Sequence, residues 1–301
     1  MTELILSCIS DKLMFISFKL LFFFFKTDIG KLKRKNKSKD TRESANKLPK
    51  KAKSVEMSKR EGDDGAHDSR PLSVKEIDEL GPYCRSLEEK LNSLSKGDTI
   101  KMMIDDSVYN YQHIAESFLT IVEIRQMLRN QWLNVVMLQI WGSFLYQYAT
   151  ENESTKKVGY MCPVKLLEYM HRPRQCEKYI AHVLKIQDQK KFIMGAFYEG
   201  TSKKLDIKGR LNAAWILHCV NGGRRNFAKP NKLIIKVIEC PQQPEGYECG
   251  YYVMKWMYNI TFYYSTGNEK DFEKVMADST MSLDDINEIK EVWATKCLDN
   301  M

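Results

Sequence analysis

Cys240-Pro241-Gln242-Gln243-Pro244-Glu245-Gly246-Tyr247-Glu248-Cys249-Gly250-Tyr251-Tyr252-Val253-Met254 follows, after Glu239, on an apolar run, KLIIKVI at 232–238. The β-branched run suits a short half-buried strand. Pro241, Pro244 and Gly246 then forbid regular structure before Gly250. Beyond that point Val253, Trp256, Met257, Ile260 and Tyr264 recur at helical spacing and make one apolar face. The order is therefore strand, polar elbow, and a helix that opens on Cys249. At a helix N-terminus the unpaired N–H groups and the helix dipole favour thiolate over thiol, so a cysteine there gains nucleophilicity. Gln243, across the tight loop, can turn its side-chain amide back toward the sulfur. An amide donor in that place holds the oxyanion of a tetrahedral acyl intermediate. The plain alternative is a small buried hydrophobe, the usual state of a lone cysteine.

The whole string resembles the nucleophile motif of the ubiquitin-like-protein protease family, the SUMO-deconjugating enzymes related to the adenovirus protease. That motif runs Pro-x-Gln, a short loop with Gly, then Asp/Glu-Cys-Gly and a hydrophobic helix. The form Glu248-Cys249-Gly250-Tyr251-Tyr252-Val253-Met254 looks most like the branch found in plant genomes and carried by transposable elements. The resemblance implies that Cys249 is the nucleophile and Gln243 the oxyanion-hole residue. It extends to both sides. Trp132-Leu133-Asn134, followed by Leu138, Trp141, Leu145 and Tyr148, is similar to the family's early helix, with Val135 where the family has Asp. SLDDINEIKEVW at 282–293 has a Ser N-cap, an acidic first turn, and Ile286, Ile289 and Trp293 at helical spacing, and it resembles the closing helix.

Chemistry of this kind needs a His that takes the thiol proton and later protonates the leaving amine, with an acid to orient the ring. In the family the His lies upstream in a His-Trp-x-Leu strand, and the acid closes the next strand as Asp-Ser. This chain has five histidines and no His-Trp dipeptide. Two alignments stand. In the first, KKFIMGAFYEG at 190–200 is the strand and loop that lead into His-Trp, and IKGRLNAAWILHCV at 207–220 is the helix after the acid. The strand pair carrying both residues has then been lost between Gly200 and Thr201. In the second, His182-Val183-Leu184 is a degenerate His strand and Glu199 the acid. The lead-in fits better in the first. His218, on an apolar helical run beside Cys219, reads as a structural histidine, and His171, next to Arg172-Pro173, as surface loop.

Eight cysteines (8, 84, 162, 176, 219, 240, 249 and 297) are scattered without a Cys-x-x-Cys pair, which indicates neither a zinc set nor a disulfide framework and fits a reducing compartment. The net charge of +8 resides in one stretch: residues 26–60 hold fourteen Lys/Arg against four Asp/Glu. That stretch reads as a disordered linker, 26–72, with KLKRK at 31–35 and PKKAK at 49–53 as nuclear-import clusters or incidental nucleic-acid contacts. LMFISFKLLFFFF at 13–25 is intensely apolar, but Asp11, Lys12 and Lys19 interrupt the region and the run is short for a bilayer. Residues 73–94 have helical periodicity broken at Gly81-Pro82 and read as a short connector that covers the core or meets a partner.

The expected architecture is α+β: a cysteine-protease fold with a central mixed sheet flanked by helices, with or without the His/Asp strand pair. Its parts are an apolar N-terminal segment (1–25), the basic linker (26–72), a helical connector (73–99) and a catalytic domain (100–297). The resemblance implies a cysteine-type peptidase or isopeptidase that removes SUMO-like modifiers through a thioester on Cys249. The alternatives are a catalytically silent module that binds ubiquitin-like proteins, or a remnant without activity. A ubiquitin-like modifier such as SUMO and its conjugates are the expected partners. No cofactor, metal, specific nucleic acid or membrane is expected, and the chain is read as a monomer of the nucleus or cytoplasm.

Overall fold

Proline and glycine set the first boundaries. The helices Val74–Asp78 (α1) and Pro82–Asn92 (α2) part at Gly81-Pro82, because proline fits the first turn of a helix and not its interior. The computed structural model describes residues 2–8, 17–25, 70–95, 97–109, 116–153, 157–169, 172–190, 192–199, 207–221, 234–239, 248–266 and 281–301, with only the backbone described for 2–8, 17–25, 192, 197–199, 207–208, 234–239 and 264–266. Residues 26–69 of the basic linker, with its two charged clusters, lie outside the described residues, while residues 70–72 are described and Leu72 is buried.

The strands Thr99–Met103 (β3) and Glu116–Thr120 (β4) form an antiparallel pair with strictly alternating burial, one face in the core and one in water. Between them lies a short helix, Asp106–Tyr109 (α3). Strand β4 passes straight into Ile121–Leu128 (α4), because Thr120 and Glu123 make a capping box. Asn134 caps Val135–Glu151 (α5), accepting from the Val136 N–H at 2.9 Å. Then follow Val158–Tyr160 (β5), Pro163–Tyr169 (α6), Pro173–Ile186 (α7), Phe192–Glu199 (β6), Ile207–Val220 (α8), Ile234–Glu239 (β7), Cys249–Thr266 (α9) and Leu283–Leu298 (α10). The last begins with a Ser282–Asp285 capping box.

The fold is α+β, with a five-stranded mixed sheet and helices around it. The strand order is β5-β6-β2-β1-β7, where β1 is Thr2–Cys8 and β2 is Ser17–Phe25. Strand β5 lies parallel to β6, β6 antiparallel to β2, β2 antiparallel to β1, and β1 parallel to β7. The apolar N-terminal segment thus forms two adjacent interior strands, between β6 and β7. Its Phe- and Leu-rich runs match the near-continuous apolar character of strands covered on both faces. No helix among the described residues is long and apolar enough to cross a membrane.

Helix α7 corrects a second expectation. His182-Val183-Leu184 is helical, because Cys176, Tyr179, Ile180, Val183 and Leu184 fall on one buried stripe of period 3.6. The core is dominated by Trp141 of α5, Trp256 of α9 and Trp293 of α10, all fully buried. Helix α2 belongs to that core through Cys84, Leu87 and Leu91. Its N-terminus is capped by α10: the Glu291 carboxylate accepts from Tyr83 N at 3.0 Å and Cys84 N at 2.9 Å. A Cβ on Gly81 would collide with that carboxylate, so the cap requires glycine here.

Candidate nucleophile site at the start of α9

Strand β7 ends at Glu239, the elbow 240–247 lies outside the described residues, and α9 begins at Cys249. The Glu248 carbonyl accepts from the Tyr251 and Tyr252 N–H groups at 2.9 and 3.1 Å, so Cys249 occupies the first helical position. A strand ending at Glu239 and a helix opening on the thiol are the two elements read from the sequence on either side of that segment.

The first turn of α9 is held from three directions. Gly250 presses against Leu133, close enough that an added Cβ would lie 2.9 Å from the leucine's Cβ and Cδ1. Tyr251, fully buried, donates its hydroxyl to the carbonyls of Met127 at 3.0 Å and Gln131 at 3.2 Å. The Trp141 indole N–H donates to the Met254 carbonyl at 2.9 Å. The Trp132-Leu133-Asn134 segment and the Glu248-Cys249-Gly250 segment, more than a hundred residues apart in sequence, therefore meet at the nucleophile position. Lys255 ties the same helix to α10 through Asp285 at 3.2 Å and Glu288 at 3.1 Å.

Cys249 is only 1% exposed. Two effects oppose each other there: a helix N-terminus stabilises thiolate, and burial away from water stabilises thiol. The other buried cysteines meet the second effect strongly. Burial pushes the Cys162 and Cys297 thiols up to about 12 and raises Cys84 and Cys176, and it also raises the half-buried Cys219. Those thiols are packing groups.

The remaining candidates are dispersed. Gln243 lies outside the described residues. Glu199 closes β6, and its backbone shares the sheet edge at which β7 ends, since β6 and β7 run in the same direction. Three strand spacings, about 14 Å, separate the two strands. His182 is exposed on α7, in a groove lined by Glu168, Tyr169, Arg172, Gln175, Lys178 and Tyr179, with no residue of α9 among its described lining. Crowding by its neighbours, and secondarily the Lys185 charge, hold the imidazole below its ordinary 6.5. The ring is thus neutral at pH 7, a base in a groove without the thiol. His218 is buried in α8 with its ring centroid 5.4 Å from that of Trp215, in keeping with a structural residue. Among the described residues no group of three His, Cys, Asp or Glu is placed to hold a metal ion.

Sequence reasoning missed the Gly250–Leu133 contact and the Trp141–Met254 bond, which only tertiary packing creates. It also missed the strand character of the N-terminus. The signal for that was present in two apolar runs, 2–8 and 17–25, separated by a polar Ser10-Asp11-Lys12, which is a hairpin pattern.

No family model matches the chain, and no curated protein matches it. Among solved structures, it is similar to the C-terminal Ulp1 protease domain in complex with Smt3, the yeast ortholog of SUMO, at 15% identity, 77% of this chain, 97% of that chain and a TM-score of 0.43. The SUMO protease Ulp1 with its catalytic cysteine oxidised to a sulfenic acid gives the same values. A de-sumoylating protease is similar at 12% identity, over 68% of this chain and 93% of that chain, with a TM-score of 0.43.

Proposed function

We propose that the protein is a cysteine-type peptidase of the ubiquitin-like-protease kind, with Cys249 as nucleophile. The single observation that carries this reading is the placement of Cys249 as the first residue of α9, directly after strand β7 and its elbow, in a turn fixed by Leu133, Met127 and Trp141. In the proposed reaction the Cys249 Sγ attacks the carbonyl carbon of the last glycine of a modifier's C-terminal Gly-Gly, breaking the bond from that carbon to the amine. The Sγ proton passes to a base and then to the leaving amine, and water hydrolyses the resulting thioester. Gln243 is proposed to donate to the oxyanion. A ubiquitin-like modifier such as SUMO is the proposed partner.

A second reading has its own support. His182 stands on the exposed face of α7, in a groove with no residue of α9 among its described lining, and the strands β1, β2, β6 and β7 contain no histidine. A site without its base retains the surface and loses the turnover, which describes a module that binds a ubiquitin-like protein.

One experiment separates them: hydrolysis of a fluorogenic SUMO C-terminal substrate by the full chain and by its Cys249→Ser and His182→Ala variants, beside SUMO binding to Cys249→Ala. Turnover lost in Cys249→Ser establishes the peptidase, and a parallel loss in His182→Ala assigns the base. Absent turnover with binding intact in Cys249→Ala establishes the binding module. Neither turnover nor binding by the folded protein overturns both.

A further inference from the structure

Strands β6 and β7 are not neighbours, and the chain between them does not supply the two strands that separate them. That stretch supplies α8. The two intervening strands come from residues 2–8 and 17–25, at the other end of the sequence. We propose that the N-terminal hairpin is a strand complement: it fills a two-strand slot that the body of the protein, from residue 70 on, leaves open in its sheet, and it thereby holds the strand and helix that bracket Cys249.

The ladders make the argument. The hairpin is registered along both flanks, from Ser17↔Glu199 to Phe24↔Phe192 against β6 and from Glu3↔Ile234 to Cys8↔Glu239 against β7. Strand β7 is the edge of the sheet, and β1 is its strand neighbour among the described residues. The segment that leads into the Cys249 elbow therefore owes its ladder hydrogen bonds to the N-terminal hairpin. Remove the hairpin and β7 is an isolated strand, while β6 keeps only the three-residue β5. Unpaired backbone groups of that number are not sustained in a folded core. Strand β2 also packs against α9, so the hairpin touches both sides of the nucleophile elbow.

The complement restores the sheet and not a base, since residues 2–25 contain no histidine.

The test uses the full chain. Hydrogen exchange read by mass spectrometry is expected to protect the amides of 3–7 and 18–24 as strongly as those of β6. Exchange of these amides at random-coil rates, with α5 and α9 protected, overturns the proposal. Glu239→Cys, opposite the native Cys8, is expected to give an intrachain 8–239 disulfide on mild oxidation, found by peptide mapping. Its absence in the folded protein, or a link only between copies, overturns an intrachain complement. Leu6→Pro, which breaks the β1 ladder, is expected to raise alkylation of Cys249 at least tenfold, while Ala52→Pro leaves it unchanged. An unchanged rate in a folded Leu6→Pro protein overturns the link to Cys249. Should that variant not fold, exchange in the unaltered chain still decides.

Discussion

Gly250 shows how much a single hydrogen atom decides at this site. Its Cα faces Leu133 so closely that alanine would place a methyl 2.9 Å from two leucine carbons. Gly250→Ala is expected to cost about 1–3 kcal/mol, the usual range for overpacking, read as a lowered urea midpoint. Leu133→Ala in the same chain is expected to return part of that loss, and a double-mutant cycle measures the coupling. If the two changes simply add, the contact does not hold the α9 turn. The position of Cys249 was legible in the sequence because it depends on local rules: two prolines, a glycine and the helical spacing after them. The less favoured alignment, with His182 in a degenerate strand, rests on three residues of motif against a longer helical signal. The stripe Cys176, Tyr179, Ile180, Val183 and Leu184 was available to correct it.

Among the elements, α2 is joined to α4 by charge as well as packing. Glu88, 1% exposed, meets Arg125, 6% exposed, with Arg125 Nε 3.1 Å from both carboxylate oxygens; the Leu72 N–H and Asn92 Oδ1 complete the set. Arg125→Ala strands a buried carboxylate, and a loss of about 3–5 kcal/mol is expected, measured by urea unfolding. Replacing both partners with apolar residues is expected to cost far less. Helix α1 adds a pH dependence. Its capping residue Glu76 is held well below the ordinary 4.5, first by Arg70 and then by the Ser73 N–H. A depressed folded-state pKa means that the carboxylate stabilises the fold above about 4.5 and that the contribution is lost as pH falls below it. Glu76→Gln is therefore expected to flatten the loss of stability on the acid side of 4.5, leaving the neutral-to-alkaline curve parallel to the parent. The helices on either side of Gly81-Pro82 were readable from periodicity, and 207–220 from the family resemblance, with its bounds as observed. The place of the N-terminal hairpin between β6 and β7 was not legible, because the identity of a strand's neighbours is settled by pairing across the whole chain.

At the scale of the molecule, the sheet joins residues that are far apart in sequence, with Glu3 opposite Ile234 and Ser17 opposite Glu199. That placement bears on the order of manufacture. A ribosome extends a chain at roughly 5–20 residues per second, so β1 leaves the tunnel about 10–45 seconds before the strand it must lie beside exists. During that interval one of the most apolar stretches of the protein has no sheet to enter, and such a waiting segment is the kind of sequence that chaperones hold. Synthesis, and not only the finished fold, is thus shaped by the decision to complete the sheet from its far end.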